Sequence, residues 1–331
     1  MQSLIPFAPS VTGCHNGHNE GRLRASNPAD DVVRQFLFLV ALLSASLLWA
    51  EPGLDELRAE ADSGAASAQF DLGRKLAAGE GVSKDLTEAA KWFHRAAEHG
   101  NASAQYYLGV GYAAGKGVPK DPREAAKWFG EAAKQGNATA QYRLGVMYLT
   151  GDGIQNDPME AVKWLRCSAE QGIASAQFLL GVAYADGRGE AKNPAQAISY
   201  FRKAAESGHL RAQYFLGMMY ATGQGAPKDS MEALRWFREA ADQGDAEAQL
   251  NLATMCATGN GVTKDPAEAA KWYRKAADQG NAKAEFGLGA MYATGEGVTK
   301  DPAEAVEWYR KAADQGEAEA QFDLGAMYAT G

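Results

Sequence analysis

The sequence predicts an all-α protein made of stacked helix pairs, and two regularities support this prediction. A Leu-Gly dipeptide returns every 36 residues, and each period contains signals for the end of one helix and the start of another. A fixed period of this length indicates an array whose units pack on their neighbours rather than one globular core. The dipeptides are Leu72-Gly73, Leu108-Gly109, Leu144-Gly145, Leu180-Gly181, Leu216-Gly217, Leu288-Gly289 and Leu324-Gly325. We call a position that returns every 36 residues a beat position, and at the one place where the period expects a further Leu-Gly the chain has Leu252-Ala253.

The first helix of a period is clearest in residues 101–136. Ala104, Leu108 and Tyr112 recur at helical spacing and predict a helix from about residue 102 to residue 114. Gly115 is suited to end it, since glycine adopts the left-handed conformation that closes helices.

A second helix is predicted to start after a short loop. Asp121 is suited to cap it, Pro122 suits its first position, and Glu124 completes the pattern of a capping box. Trp128 follows on the apolar face, and the helix is predicted to stop at Gly136. The same start occurs in every complete unit, at Asp85/Glu88, Asp121/Glu124, Asp157/Glu160, Asn193/Gln196, Asp229/Glu232, Asp265/Glu268 and Asp301/Glu304.

Both ends of the array differ from the complete units. Residues 51–64 are in register with a second helix and are predicted to form an N-terminal capping half-repeat. Residues 317–331 hold only a first helix, an incomplete C-terminal repeat. Because arrays of this kind normally end in a polar cap, we expect the natural protein to continue beyond Gly331.

Residues 1–50 form a leader with a different composition. The run at 36–49 is almost entirely apolar, follows Arg34 and ends before Ala50, which is typical of a secretory signal peptide. It is shorter than the roughly 20 apolar residues of a membrane helix. We therefore expect a periplasmic or secreted protein. Retention of 36–49 as a membrane anchor is the alternative, and the irregular residues 1–32 suggest that the true start lies near Val32.

The net charge argues against a nucleic-acid-binding protein, and the cysteine positions argue against a disulfide between Cys167 and Cys256. The net charge is −8 without a long basic run, which argues against nucleic acid as a partner because phosphate neutralisation dominates that affinity. Cys167 and Cys256 are about two and a half periods apart. That separation is several helix layers of roughly 9 Å each, beyond the ~7 Å Cα reach of a disulfide.

No motif predicts catalysis, a metal or a cofactor. The Gly-x-Gly loops, such as Gly115-Lys116-Gly117, follow helices rather than strands, so we interpret them as turns and not as phosphate cradles. Motifs of zinc peptidases, serine hydrolases and Ser-x-x-Lys enzymes are absent from the sequence. A tryptophan recurs at the same place in nearly every unit. Because a ligand site rarely needs the same residue in each unit, this favours packing between helices over stacking on a sugar. The tryptophan stands at Trp92, Trp128, Trp164, Trp236, Trp272 and Trp308, with Tyr200 in its place once.

The 36-residue unit resembles the Sel-1-like repeat, a relative of the tetratricopeptide repeat. Residues 65–316 contain seven full units, with departures at Leu86, Tyr200, Ser230, Ala253 and Cys256. The resemblance implies a right-handed α/α superhelical solenoid of helix-turn-helix repeats. It also implies a scaffold or adaptor role, frequently in bacterial envelope proteins, without one biochemical activity.

Positions that vary between units are candidates for binding. In the unit 101–136 these are residues 103, 107, 110 and 114, which share one side of the first helix, here called the variable face together with their equivalents. In tetratricopeptide-like superhelices the first helices line the concave surface. Apolar, aromatic and arginine side chains typically anchor interfaces. The predicted partner-binding residues are Tyr107, Val110, Arg143, Val146, Leu179, Val182, Arg211, Phe215 and Met218.

These observations predict a non-enzymatic scaffold of the envelope or secreted fraction that binds a protein or peptide in its concave groove. The variable face could instead pack against the next unit. A membrane-anchored assembly factor is the alternative if residues 36–49 are retained. A second alternative is a β-lactam-binding or β-lactam-hydrolysing enzyme, as reported for Sel-1-like proteins with a cysteine pair in each repeat. This chain lacks those pairs.

Overall fold

The computed structural model describes residues 53–330, which contain sixteen α-helices and no strand. Each helix packs mainly on the helices before and after it in the chain, so the prediction of an all-α solenoid of helix-turn-helix repeats is confirmed. The leader at residues 1–50, with its predicted signal peptide, lies outside the described residues. Within residues 53–330, no helix has both the length and the hydrophobicity of a membrane span.

The helices are nearly uniform in length. Even-numbered helices are the first of each pair, and odd-numbered helices from α3 onward are the second. In chain order they are α1 Leu54–Asp62, α2 Ala66–Ala78, α3 Leu86–Glu98, α4 Ala102–Ala114, α5 Pro122–Lys134, α6 Ala138–Thr150, α7 Pro158–Glu170, α8 Ala174–Asp186, α9 Pro194–Glu206, α10 Leu210–Thr222, α11 Ser230–Asp242, α12 Ala246–Thr258, α13 Pro266–Ala277, α14 Ala282–Thr294, α15 Pro302–Asp314 and α16 Ala318–Thr330.

The Leu-Gly beat holds the two helices of a unit together. Leu108 is 1% exposed and fills the interior. Gly109, beside it, allows the Phe129 ring of α5 to lie against the backbone of α4, since a Cβ at Gly109 would stand 2.7 Å from that ring. A side chain there would force the helices apart, which explains why the pair recurs in six of the seven full units.

The second glycine of each loop holds neighbouring units together. Gly117 has φ +78, and a Cβ there would lie 2.1 Å from the carbonyl oxygen of Leu86, at the start of the preceding second helix. Gly153 meets Pro122 in the same way, at 2.2 Å. These loops are turns fixed by close backbone approach, as predicted.

Capping of the second helices follows only half of the predicted pattern. The Asp121 carboxylate accepts the N–H groups of Arg123 and Glu124 at 2.9 and 3.2 Å. The predicted return bond from Glu124 to the Asp121 N–H is wrong, because that N–H donates to the carbonyl of Tyr112 at 2.9 Å. Glu124 instead pairs with Lys127 at 3.3 Å. The backbone N–H of the N-cap residue is therefore satisfied by the last turn of the preceding helix, and this bond fixes the geometry of the turn between the two helices.

A glutamine ladder links consecutive units. Gln105 Nε2 donates to the carbonyl of Ala97, in the preceding second helix, at 3.1 Å. Its Oε1 accepts from Gln135 Nε2, just after α5, at 2.7 Å. The ladder is interrupted where Ser207 stands in the place of Gln135, and Oε1 of the buried Gln177 has no hydrogen-bond partner among residues 53–330. The donors to the preceding helix are Gln69, Gln105, Gln141, Gln177, Gln213, Gln249 and Gln321.

Restoring the ladder should stabilise the protein. We expect Ser207→Gln to raise the free energy of unfolding by about 1 kcal/mol, the typical net contribution of a hydrogen bond to a buried polar group. Urea denaturation followed by circular dichroism measures this. The matched control is Gln243→Ser, which removes the donor to Gln213 and should lower stability by a similar amount. Equal stability of the wild type and both variants would contradict this account of the ladder.

One ladder position carries a carboxyl group. Glu285 is 4% exposed and accepts from Gln315 Nε2 at 2.7 Å. Burial raises the pKa of Glu285 above its ordinary value, and the Gln315 bond and Lys311 only partly oppose this. The folded protein therefore holds the proton more readily than the unfolded chain. The stabilisation from protonated Glu285 is complete at acidic pH and is lost as pH rises through the folded-state pKa.

Glu285→Gln should remove this pH dependence. We expect the variant to be about 1 kcal/mol more stable than the wild type at pH 7, and the difference to vanish below about pH 4. Thermal unfolding between pH 4 and pH 8 measures it. Glu268→Gln is the opposing control, because the hydrogen bond from Lys271 lowers the pKa of Glu268. That variant should lose stability at neutral pH relative to acid.

Candidate partner-binding surface

The structure places the predicted binding residues at different depths. Tyr107 is 43% exposed, and the guanidinium groups of Arg143 and Arg211 are also exposed. The remaining six are half-buried, so they contribute both to the surface and to the packing beneath it. They are Val110, Val146, Leu179, Val182, Phe215 and Met218.

Tyr107 joins two units through its aromatic ring. Its centroid lies 5.4 Å from that of Phe93 and 5.7 Å from that of Phe70, both in the preceding unit. Edge contact with Tyr106 at 5.5 Å completes the cluster. The ring is therefore held in place while part of it faces solvent, an arrangement typical of interface anchors.

Phe215 is more buried than Tyr107 and serves mainly to pack neighbouring units together. Its ring lies 5.6 Å from Phe201 and 5.7 Å from Phe178, both in the preceding unit. Arg211 covers it at 5.4 Å and lies 4.0 Å from the Asp245 carboxylate. In this part of the variable face, packing against neighbouring units accounts for most of the contacts. A substitution at Phe215 would therefore change stability together with any binding.

A pocket of about 450 Å³ lies between α4 and α6, and it brings three predicted residues together. We call it the Arg143 pocket. Its volume is within the range of small-molecule and side-chain binding sites. The residues that line it are Val110, Ala113, Ala114, Phe129, Arg143, Val146, Met147, Thr150 and Asp152. Val110 also lines a smaller cavity of about 150 Å³ with Tyr107 and Phe93, so the two hollows adjoin.

A third hollow, of about 580 Å³, was not predicted from the sequence. It lies around Tyr273, which is half-buried, whereas most equivalent rings are buried. Ala253 replaces the beat glycine that otherwise accommodates such a ring, and the ring instead lies over Gly287 of the next unit. A Cβ at Gly287 would be 2.8 Å from it. In the sequence, the rearrangement is marked by two residues together: Ala253 in place of the usual glycine, and Gly287, 34 residues later, where the displaced ring lies.

The coupling of these two positions can be tested. Gly287→Phe should destabilise the protein, because the new side chain occupies the space of the Tyr273 ring. Adding Ala253→Gly should recover part of the loss, with a coupling energy of about 1 kcal/mol or more, since residues that share a packing site are non-additive. Chemical denaturation of both single variants and the double variant gives this value. Ala267→Gly, exposed on α13, is the control and should show no coupling with Gly287→Phe.

The described residues offer little for nucleophilic or metal chemistry. Cys167 is exposed and Cys256 is buried, both as free thiols, and burial raises the pKa of Cys256 away from the reactive thiolate. Between residues 53 and 330, no cluster of three or more His, Cys, Asp or Glu residues could hold a metal ion. His99 takes the place of a ladder glutamine and contacts Gln69 Oε1 at 3.0 Å.

Comparison with known families assigns this architecture. The Sel1 repeat model matches seven full repeats and a partial one, each beginning one residue later than the units defined above. The chain belongs to the Sel1 repeat family. The matches cover residues 66–101, 102–137, 138–173, 174–209, 210–245, 246–281, 282–317 and 318–331. The resemblance inferred from the sequence is thereby confirmed.

Two solved structures support the same assignment. A protective antigen of uropathogenic Escherichia coli strains is 41% identical with a TM-score of 0.81, and the alignment covers 85% of this chain and 60% of the antigen. A Sel1 repeat protein from Oxalobacter formigenes is 37% identical with a TM-score of 0.66, covering 83% of this chain and 80% of that one. No curated protein matches the chain.

The chain therefore spans only about three fifths of the Escherichia coli antigen. Sel1 repeats generally build scaffolds for protein–protein interaction, and members of the family are typically non-catalytic. The general prediction of a protein-binding scaffold agrees with this. A particular partner and a cellular location do not follow from it.

Proposed function

We propose that this protein is a non-enzymatic scaffold that binds a protein or peptide along the variable face of its first helices. The observation that carries this proposal is the Arg143 pocket. It is a preformed apolar hollow with an exposed arginine, and it lies on the face where the units differ from one another. The invariant residues, by contrast, are occupied in building the stack.

The chemistry of the variable face supports a protein partner. Tyr107 and Arg143 belong to the residue types that most often anchor protein interfaces. Tyr107 is held by the neighbouring rings of Phe93 and Phe70, so little side-chain entropy remains to be lost on binding. The two adjoining hollows offer space for successive side chains of one segment.

An envelope or secreted location is the second part of the proposal. The apolar run at residues 36–49, followed by Ala50, supports export through a signal peptide. That an Escherichia coli relative is described as a protective antigen is consistent with such a location here. Retention of 36–49 as an anchor would place the same binding face at a membrane.

Site-specific photo-crosslinking tests the binding face. A benzoylphenylalanine residue replaces Thr150, which lines the Arg143 pocket, or Ser103, on the variable face of α4, so that Tyr107 and Arg143 stay in place. The full chain is used, in cells that make the protein naturally. We expect crosslinks to one or a few proteins of the envelope or secreted fraction, identified by mass spectrometry. The matched controls place the same group at Met159 or Met231, which are each 65% exposed on second helices.

The control positions Met159 and Met231 define the result that would contradict the proposal. Because those methionines are also exposed and apolar, they measure non-specific capture by the second helices. Crosslinks that are equal at all four positions, or confined to Met159 and Met231, would place binding elsewhere and refute the proposed face. Crosslinked partners found only in the cytoplasmic fraction would refute the proposed location.

A further inference from the structure

The geometry points to a specific ligand for the Arg143 pocket, and this inference rests on the proposed function. We infer that the pocket binds an apolar side chain adjacent to a single carboxylate, presented by a peptide segment of the partner protein. The apolar side chain enters the hollow between α4 and α6. The carboxylate pairs with the guanidinium of Arg143.

Small side chains at the end of α4 leave the hollow open, since Ala113 and Ala114 line it beside Phe129 and Val146. Alanine stands at the place of Ala113 in every other unit except the next one, where Leu149 packs against the buried cluster that includes Leu165. That unit shows that a leucine-sized apolar group can be packed at this place. A partner side chain of similar size fills it with apolar contact on several sides.

Within the described part of the chain no carboxylate pairs with Arg143, and this sets it apart from the other arginines of the first helices. The other two arginines of the first helices each lie 4.0 Å from an acid, Arg74 from Asp71 and Arg211 from Asp245. Arg143 has only the Tyr142 ring, 5.8 Å away, among the described residues. Its five N–H donors are thus available at the rim of an apolar hollow, where a charge-assisted bond to a carboxylate is strongest.

Asp152 restricts the charge of the ligand. It lines the same pocket, and its carboxylate forms no ion pair with any cation of residues 53–330. A ligand with several adjacent negative charges would be repelled by it. One carboxylate placed at Arg143 avoids this repulsion, and the backbone N–H groups of a peptide can face Asp152. Acidic runs and nucleic-acid phosphates fit the pocket poorly.

A peptide fits this surface better than a small amphiphile. Val110 lines both the Arg143 pocket and the smaller hollow beside Tyr107. The apolar surface therefore continues from one unit to the next, over more length than a single small molecule covers. An extended segment can place successive side chains in the two hollows.

The inference is tested by peptide selection followed by a double-mutant cycle, in which the charge of Arg143 and the charge of the peptide acid are each removed. Random twelve-residue peptides are selected from a phage library on the wild-type protein, and enriched sequences are read. We expect Leu, Ile, Met or Phe within two residues of a single Asp or Glu. An enriched peptide and its version with that acid replaced by the amide are then measured by fluorescence anisotropy.

Four proteins are compared in this measurement. Arg143→Gln should weaken the acidic peptide about tenfold, the equivalent of about 1.4 kcal/mol, and leave the amide version unchanged. Ala113→Leu, which copies Leu149, should weaken both versions. Arg123→Gln, an exposed arginine on α5, is the matched charge control and should resemble wild type. Circular dichroism confirms that each variant is folded.

Four outcomes overturn the inference. The first three are enrichment without an acid, equal effects of Arg143→Gln on the two peptide versions, and no enrichment at all. Arg143-dependent binding of sodium dodecanoate without any enriched peptide would assign the pocket to a small amphiphile and likewise overturn it. The proposed function survives these results if crosslinks at Ser103 and Thr150 persist, and it fails independently if they do not.

Discussion

The contact between a ring of the second helix and the bare backbone of the beat glycine underlies the whole array. It sets the separation of the two helices in a unit, as Phe129 on Gly109 illustrates. Once that separation is fixed, the leucine beside the glycine becomes buried. The loop glycine of one unit can then reach the start of the preceding second helix. Dispersion contacts of this kind are individually small, but their repetition in most units makes the stack a continuous core.

Function is then left to the residues that this contact does not constrain. The variable face projects from the same helices, yet its side chains are free to differ because the beat residues already hold the backbone. The Arg143 pocket combines small side chains at the end of α4 with an arginine on α6 that pairs with no carboxylate of residues 53–330. The hollow around Tyr273 arises differently, from a change in the beat itself. When the glycine becomes Ala253, the displaced ring reshapes the surface of the next unit.

Much of the fold could be predicted from the sequence, because periodic leucine, glycine and N-cap residues act locally. The helix ends near residues 102, 114 and 122 follow directly from such signals. The return bond of the caps was predicted wrongly, since it goes to the preceding helix and depends on tertiary geometry. At the site, spacing placed Val110, Arg143 and Val146 on the variable face, and the structure shows that these three line one pocket. Spacing alone could not give the depth of Phe215, which depends on rings in other units.

The break in the glutamine ladder at Ser207 has a consequence for cooperativity. In a one-dimensional array, unfolding of one segment is transmitted to the next only through the joint between them. Gln177 keeps its bond across the joint to the preceding unit, to the carbonyl of Ala169. The bond it lacks is the one within its own unit, which Gln171 and Gln243 supply in the units on either side. The break therefore weakens the pairing of α8 with the end of α9 and leaves the joints between units intact. We expect α8 and α9 to open at a lower free energy than the equivalent pairs beside them, so that local opening can start inside the array and not only at its ends.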